Sequence, residues 1–242
     1  KIFSLYFHND PLSMDGSKTI TDRKKLLKIC HKIIFNSNWS KKRFLEGLEN
    51  KFVNSDKLVV FFQSAKKNDF RIIKNKKKWI TFVGKLNRAK GYDVFSKAIV
   101  KILNKYPDWK AKIIGDEKRE KIRLNHNNAD VLGFLNHERT LEIFKKTSIA
   151  VACSRWEEPF GRTSLEASAN GCAVIITNKG GLPETVTNAK ILENLSVKNL
   201  VLNLNSLIKN VPLRKKLQNS SLKNFYLTHS YVTKKIDEYR SD

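Results

Sequence analysis

Carboxylates are in short supply in this chain. Its 242 residues hold 23 Asp and Glu against 47 Lys and Arg, a formal charge of +24. Long apolar runs are missing altogether: no stretch of eighteen or more apolar residues occurs, so no segment reads as a membrane-spanning helix. Cysteine is sparse, with Cys30, Cys153 and Cys172 scattered among apolar neighbours and no C-x-x-C spacing. That excludes a zinc ribbon or a disulfide framework and reads as reduced, buried thiols of a cytoplasmic protein. The opening "KIFSLYFHND" has no small-residue cleavage site and is too short for a secretory leader. It reads as a strand whose end points into a site. There is no initiator Met, which suggests a fragment or a trimmed chain. No internal repeat and no low-complexity tract interrupts the sequence. The basic excess leaves two readings open. One is a polyanionic partner such as nucleic acid, an anionic membrane surface or a phosphorylated substrate. The other is a lysine-rich bias on solvated faces, because the lysines are spread along the whole chain and form no stripe interleaved with aromatics.

What is present is an alternation of apolar runs and helical patterns. "IFSLYF", "KIIFNS" and "KLVVFF" read as strands; "TITDRKKLLKICH" and "NWSKKRFLEGLE" read as helices, the second opened by Asn38 or Ser40. Residues 1–62 thus follow a parallel-sheet pattern too short for a complete doubly wound domain. The charged segment 63–78 reads as a linker. The alternation then restarts with "WITFVG", "WKAKIIG", "ADVLGFL", "SIAVACS" and "CAVIIT" as strands, separated by helical patterns. Pro183 suits the first position of a helix. Two or three helices fill the tail from Asn199 to Asp242. The strands are near-continuous apolar runs, as a sheet covered on both faces requires. The fold class is α/β, with a complete Rossmann-like domain over 79–222, part of a similar one before it, and a terminal helix over 223–242.

In such a sheet, ligands bind at the carboxyl ends of the strands. Three loops there carry unusual residues. "GKLNRAKG" places Lys85 and Lys90 between Gly84 and Gly91, where two ammonium groups suit a diphosphate or simply face solvent. "SRWEEPFG" leads into a helix starting near Gly161 to Thr163, so that Glu158 projects from a loop and Glu166 from the first turns. The free N–H groups at Phe160 to Ser164 suit phosphate or hydroxyl oxygens, and Gly161 lets a ligand approach the backbone. Read blandly, the two acids favour their own helix dipole. "NKGGL" adds Gly180 and Gly181, a close-approach site or a plain turn.

Taken in chain order, "VGKLNRAKG", "EEPFGRTSLEASANG" and "GGLPE" resemble the C-terminal domain of glycosyltransferase family 4, the retaining nucleotide-sugar transferases of the GT-B class. The resemblance covers roughly residues 30–242, with its core at 79–186. It implies that Glu166 binds the nucleotide ribose, Glu158 the transferred sugar, and Lys85 and Lys90 the diphosphate. The family has arginine at the first of those basic positions; lysine brings charge without the two-pronged fork. Gly133 and Phe134 of "LGFLNHE" would hold the base, and the backbone of Phe160, Gly161, Arg162 and Thr163 would bind phosphate and sugar hydroxyls. His8 of "FHNDP" would face the transferred sugar or cap its strand. The last helix, "FYLTHSYVTKKIDEYRS", would cross back to the first domain. The family's N-terminal domain has a long further stretch with a glycine-rich loop that this sequence does not contain, so the resemblance implies a partial acceptor half and leaves open a chain that by itself binds donor without transferring.

The implied activity is a metal-independent hexosyl transfer, with retention, from a UDP- or GDP-linked sugar to a hydroxyl of a glycan or lipid-linked glycan in cell-surface polysaccharide or lipopolysaccharide assembly. No Asp-x-Asp triplet is present to bind a divalent cation, and no cofactor is implied besides the donor substrate. The other readings are a non-catalytic nucleotide-sugar or glycan-binding fragment and, on charge alone, a nucleic-acid binder; no specific nucleic-acid partner is expected. The basic stretches "TDRKKLLKICHK" and "SKKRF" suit peripheral contact with an anionic membrane from the cytoplasmic side, or a solvated helix face.

Overall fold

The computed structural model describes residues 3–52 and 55–241, which form two parallel sheets. Ile2, at the head of the first expected strand, and Asp242, at the end of the tail, lie outside the described residues. The small sheet holds β1 (Ser4–Phe7), β2 (Lys32–Phe35) and β3 (Leu58–Val60) in that order. Its crossovers carry α1 (Ile20–Ile29) and α2 (Asn38–Leu45). Thr19 and Asp22 close a capping box on α1. The cap of α2 is Ser37, one residue before the expected Asn38 or Ser40. Its backbone is extended and its hydroxyl accepts from the Ser40 N–H at 2.9 Å. Phe7, Phe35 and Phe44 stack or tilt against one another at 5.3–5.7 Å and anchor the core of this unit.

The large sheet holds β4 (Lys77–Val83), β5 (Lys110–Ile114), β6 (Ala129–Val131), β7 (Thr147–Ala152), β8 (Ala173–Thr177) and β9 (Ala189–Leu192), in the order β6-β5-β4-β7-β8-β9. Strand β8 shows why its sequence is apolar throughout. Ala173 and Ile175 enter the core under α3 (Tyr92–Lys105) and α6 (Val197–Lys209). Val174 and Ile176 enter the opposite core under α4 (His137–Lys146) and α5 (Arg162–Ala169). Strand β9 was not legible: four residues, three of them partly or fully accessible, carry too little pattern. The tail folds into α6, α7 (Val211–Lys223) and α8 (His229–Ser241). Helix α8 lies against the small sheet, where the Tyr239 hydroxyl donates to the Asp56 carbonyl at 3.0 Å and its ring meets Phe61 edge-on.

The charged segment 63–78 is not a solvated linker along its length. The Ala65 N–H donates to the Leu227 carbonyl and the Asn68 N–H to the Ala169 carbonyl, a 3₁₀ turn spans Phe70–Asn75, and β4 already begins at Lys77. Lys76 turns inward. Its ammonium donates to the carbonyls of Phe144 (2.9 Å) and Asn170 (2.6 Å), the C-terminal ends of α4 and α5, where a cation also meets the negative ends of both helix dipoles. Burial pulls the Lys76 ammonium below the usual lysine range.

The two units are clasped at the start of α2. The Glu184 carboxylate accepts from the Asn38 N–H and side-chain amide (both 2.8 Å) through one oxygen and from the Trp39 N–H (2.9 Å) through the other. The Ser37 hydroxyl donates to the Pro159 carbonyl at 2.5 Å. A carboxylate of the large unit thus takes up the N–H groups exposed at a helix start of the small one.

Two outcomes are expected. Lys76→Met removes the ammonium from two helix ends, where the Phe144 carbonyl keeps its bonds from the Thr147 N–H and the Cys172 thiol, and lowers unfolding stability by about 1–2 kcal/mol in urea titration; an unchanged midpoint contradicts the inward role. Glu184→Ala speeds amide hydrogen exchange at Asn38 and Trp39 by about tenfold or more, equivalent to about 1.4 kcal/mol; protection equal to that of the parent chain shows that the clasp does not hold.

Candidate active site

The order of the large sheet reverses its direction of growth between β4 and β7, and a crevice opens at the carboxyl ends of those two strands. Val83 and Gly84 follow from β4, Ala152 and Cys153 from β7, and all four line a cavity of about 340 Å³. The small sheet points its own carboxyl ends into the same space: His8 and Asn9 after β1, Asn36 after β2, Gln63 after β3. The remaining wall is the segment from Glu158 to Thr163, with Lys90 and Leu182. The volume falls within the range of small-molecule sites, roughly 300–1,000 Å³.

Lys90 and Glu158 meet there at 2.5 Å, the ammonium about one-third exposed and the carboxylate 13% exposed. The loops that carry them are fixed on each other. The Ala89 carbonyl accepts from the N–H groups of Arg155 and Trp156 and from the Ser154 hydroxyl, and Arg155 forks onto Asp93 at 2.6 and 2.8 Å. Burial works against the Asp93 carboxylate, yet the hydrogen bonds and charge of Arg155 hold its pKa below the usual carboxylate value. The Lys90 N–H itself donates to the Asn87 side chain, which Glu117 holds from the other side. Cys153 is wholly buried and burial pushes its thiol up to about 12, so it stays protonated at neutral pH and has no nucleophile's reactivity.

Helix α5 begins at Arg162 behind Gly161, whose φ of +110° is a glycine conformation. Among the described residues, the N–H groups of Arg162 and Thr163 find no protein acceptor and lie on the cavity wall. Glu166, one turn into the helix and largely buried, accepts from Arg162 (3.1 Å) and pairs with His137 Nε2 (3.0 Å). The Glu166 carboxylate therefore sits behind Arg162, and its place on the cavity comes through that guanidinium rather than by direct lining.

Of the residues singled out in the sequence, the structure gathers His8, Gly84, Lys90, Glu158, Phe160, Gly161, Arg162 and Thr163 around one cavity. Lys85 is exposed at the head of its loop, and Phe134, 79% exposed, follows Gly133 on a loop outside this cavity. Gly180 and Gly181 do not line this cavity and pack against the Glu158 loop. At Gly180 (φ +58°) a Cβ would lie 2.1 Å from the Glu158 carbonyl oxygen, and its N–H donates to the Glu157 carboxylate. The Gly181 N–H donates to the Glu158 carbonyl at 2.6 Å. The turn thus presses the Glu158 loop into shape. Sequence reasoning missed Asn36, Gln63 and His137. Asn36 and Gln63 stand where strand ends of a parallel sheet deliver ligand groups, and the position rule alone points to them once β2 and β3 are placed.

A search of solved structures finds the same fold. HepE of Anabaena, solved in complex with UDP and glucose, superposes with a TM-score of 0.81 at 17% identity, over 100% of this chain and 72% of its own. A glycosyltransferase of Rickettsia africae gives 0.75 at 20% identity, over 99% and 70%. The fold is GT-B. Among curated proteins, spore coat protein SA of Bacillus subtilis is 27% identical over 127 residues, 47% of this chain and 34% of that protein. The lipopolysaccharide core biosynthesis mannosyltransferase LpsB of Rhizobium meliloti is 30% identical over 121 residues, 46% of this chain and 34% of its own. The chain thus matches about a third of the length of these relatives. An uncharacterised glycosyltransferase of Methanocaldococcus jannaschii is 30% identical over 197 residues, 77% of this chain and 52% of its own. A sequence model described as glycosyl transferases group 1 matches residues 64–224, about two thirds of the chain, and with the crevice, the Lys90–Glu158 pair and the fold in agreement, this chain belongs to the group 1 glycosyl transferases.

Proposed function

We propose that this chain carries the donor site and part of the acceptor side of a retaining hexosyltransferase, moving a sugar from a UDP- or GDP-linked donor to an acceptor hydroxyl in cell-surface polysaccharide or lipopolysaccharide assembly. The single observation that carries the reading is the Lys90–Glu158 pair on the wall where the carboxyl ends of both sheets face each other. The polysaccharide setting draws on LpsB, a lipopolysaccharide core mannosyltransferase. The donor class draws on HepE, solved with UDP and glucose.

In this reading the diphosphate lies against Lys90 and the first turn of α5. The N–H groups of Arg162 and Thr163, the dipole of α5 and the Arg162 guanidinium offer fixed positive charge where the leaving group gathers negative charge. Lys85 reaches the diphosphate by swinging in from the rim, as a point charge. Glu166 turns from Arg162 to the two ribose hydroxyls, and Gly133 and Phe134 flank the base. Glu158 and His8 contact the transferred sugar, Glu158 as a positioning carboxylate.

The transfer is written on one face of the sugar. The bond from the anomeric carbon to the diphosphate oxygen breaks with its electron pair going to the diphosphate. The acceptor oxygen bonds to the same face of that carbon, and the acceptor proton passes to a diphosphate oxygen. No side chain is alkylated, which is why a single carboxylate near the sugar suffices. The cationic groups supply the charge compensation, and the reaction is proposed to run without a divalent ion. A cytoplasmic enzyme peripheral to the membrane fits the charge. Helix α1 turns Lys24, Lys25 and Lys28 outward beside the exposed Ile29, a pattern suited to an anionic lipid surface.

Titration calorimetry tests the donor site. Glu166→Ala is expected to weaken UDP or GDP at least about tenfold, since hydrogen bonds to a charged group contribute roughly 1.5–3 kcal/mol. Lys90→Ala is expected to weaken nucleoside diphosphates about tenfold or more while changing nucleoside affinity little. Unchanged binding in both variants refutes the assignment. Binding of UDP by the parent chain without consumption of any of a panel of nucleotide sugars assigns it to the alternative, a donor-binding fragment without transfer activity of its own.

A further inference from the structure

The loop between β4 and α3, which delivers Lys90 to the cavity, is held from behind by the short segment that follows β5. Leu86 donates its N–H to the Asp116 carbonyl at 3.2 Å. The Asn87 side-chain amide donates to the Glu117 carboxylate at 2.9 Å, and the Arg88 N–H to the Glu120 carboxylate at 3.0 Å. Three successive residues of the loop are thus each tied to a different residue of 116–120. The middle tie is the buried one: Asn87 and the Glu117 side chain are each 7% exposed.

Asn87 faces two ways. Its Oδ1 accepts from the Lys90 N–H at 3.1 Å, and its backbone carbonyl accepts from the Tyr92 N–H at 3.1 Å. One residue therefore takes up two N–H groups at the entry to α3, where Gly91 offers no side-chain cap. With its oxygen committed to Lys90, the amide nitrogen needs an acceptor on the other side, and Glu117 supplies it. A bare carboxylate there would set a negative charge behind the cation of the cavity. It is not bare. Arg119 donates to it from Nε at 3.0 Å, from Nη2 at 3.2 Å and from its own backbone N–H at 3.1 Å. These bonds, the Arg119 side chain first and Asn87 after it, hold the Glu117 carboxyl down to about 2. Glu117 is ionised at neutral pH, and one guanidinium balances it.

We propose that Asn87, Glu117 and Arg119 form a positioning relay for the donor diphosphate. Asn87 and Glu117 fix the backbone from which the Lys90 ammonium reaches the cavity, and Arg119 cancels the negative charge that this fixing introduces. None of the three lines the cavity itself. A carboxylate holds the Asn87 amide more firmly than a neutral acceptor does, and the guanidinium keeps that hold from repelling an anion. The charge role rests on the reading of Lys90 as a diphosphate ligand; the tie to the Lys90 backbone does not.

Amide hydrogen exchange on the ligand-free chain tests the tie. Glu117→Ala is expected to speed exchange at the Lys90 N–H about tenfold over the parent chain. Asn87→Ala gives the same readout should the Glu117 variant fail to fold. Calorimetry with UDP and with uridine tests the charge role, in about 10 mM salt, where the screening length is about 30 Å. Arg119→Ala is expected to weaken UDP about fivefold and uridine hardly at all, with a smaller loss at about 150 mM salt. Adding Glu117→Gln to Arg119→Ala keeps an acceptor for Asn87 and removes the charge, and is expected to restore UDP to within about twofold of the parent. An Arg119 that only braces the fold gives equal losses for UDP and uridine, no salt dependence and no rescue, and that result overturns the charge role. Unchanged exchange at Lys90 overturns the tie. A parent chain that binds no UDP refutes the diphosphate reading and the charge role with it, and exchange then decides the tie by itself.

Discussion

The Glu158–Gly161 loop is held from three directions, and the site exists because those three constraints agree. Gly180 brings its turn so close to the Glu158 backbone that any side chain would strike the carbonyl oxygen. Ser37 pulls the Pro159 carbonyl toward the small unit. Lys90 draws the Glu158 carboxylate across to the β4 loop. Each contact comes from a different strand end, so the loop reports the relative placement of both sheets. The cavity between them has a defined shape because this one segment cannot relax toward any side without losing a partner on another.

The Lys90–Glu158 pair is a contact of two partly desolvated charges, and such pairs contribute modestly when closed and cost much when one partner is left alone. In the ligand-free protein each neutralises the other. On the proposed reading, a diphosphate at the α5 start would bring two or more negative charges to an ammonium already bonded to a carboxylate, and Glu158 would become available for a neutral hydroxyl partner as Lys90 turned to the anion. On the proposed reading the same logic applies to Glu166, which would trade Arg162 and His137 for a ribose. On that reading the selectivity of the site lies in ion pairs that a ligand carrying both negative charge and hydroxyls would replace.

Most of the fold was legible because a doubly covered parallel sheet writes itself plainly. Val174 and Ile176 on one face of β8, with Ala173 and Ile175 on the other, leave no polar position to confuse the pattern. What was not legible depended on long-range pairing. Strand β9 is short and partly accessible, and its apolar residues look like those of a loop. Lys76 reads as solvated charge in a run of lysines, yet it is the one that two helix ends capture. The Gly180–Gly181 turn reads equally as a close-approach site or a plain turn, because a Gly-Gly step is the same string whether the close neighbour is a phosphate or the protein's own backbone. Gln63 lay in a stretch taken for linker, and no local signal marks an amide whose importance comes from what faces it. Lys90, Glu158 and Thr163 reach the cavity from segments whose motifs mark them, whereas Asn36 and Gln63 come from strands whose mutual placement no short motif records.

The reach of α8 over the small sheet has a consequence for how the chain folds. Tyr239 bonds to Asp56 across 183 positions of sequence, so the small sheet, whose strands precede α8 in the chain, gains this cover only once α8 has been made. Until then Phe61 and its neighbours face water on that side, and contacts so distant in sequence form slowly. The small unit thus waits, half-clad, for α8 to pack over it, and a chaperone that shields its apolar face in the interval would be covering surface of the kind that drives aggregation.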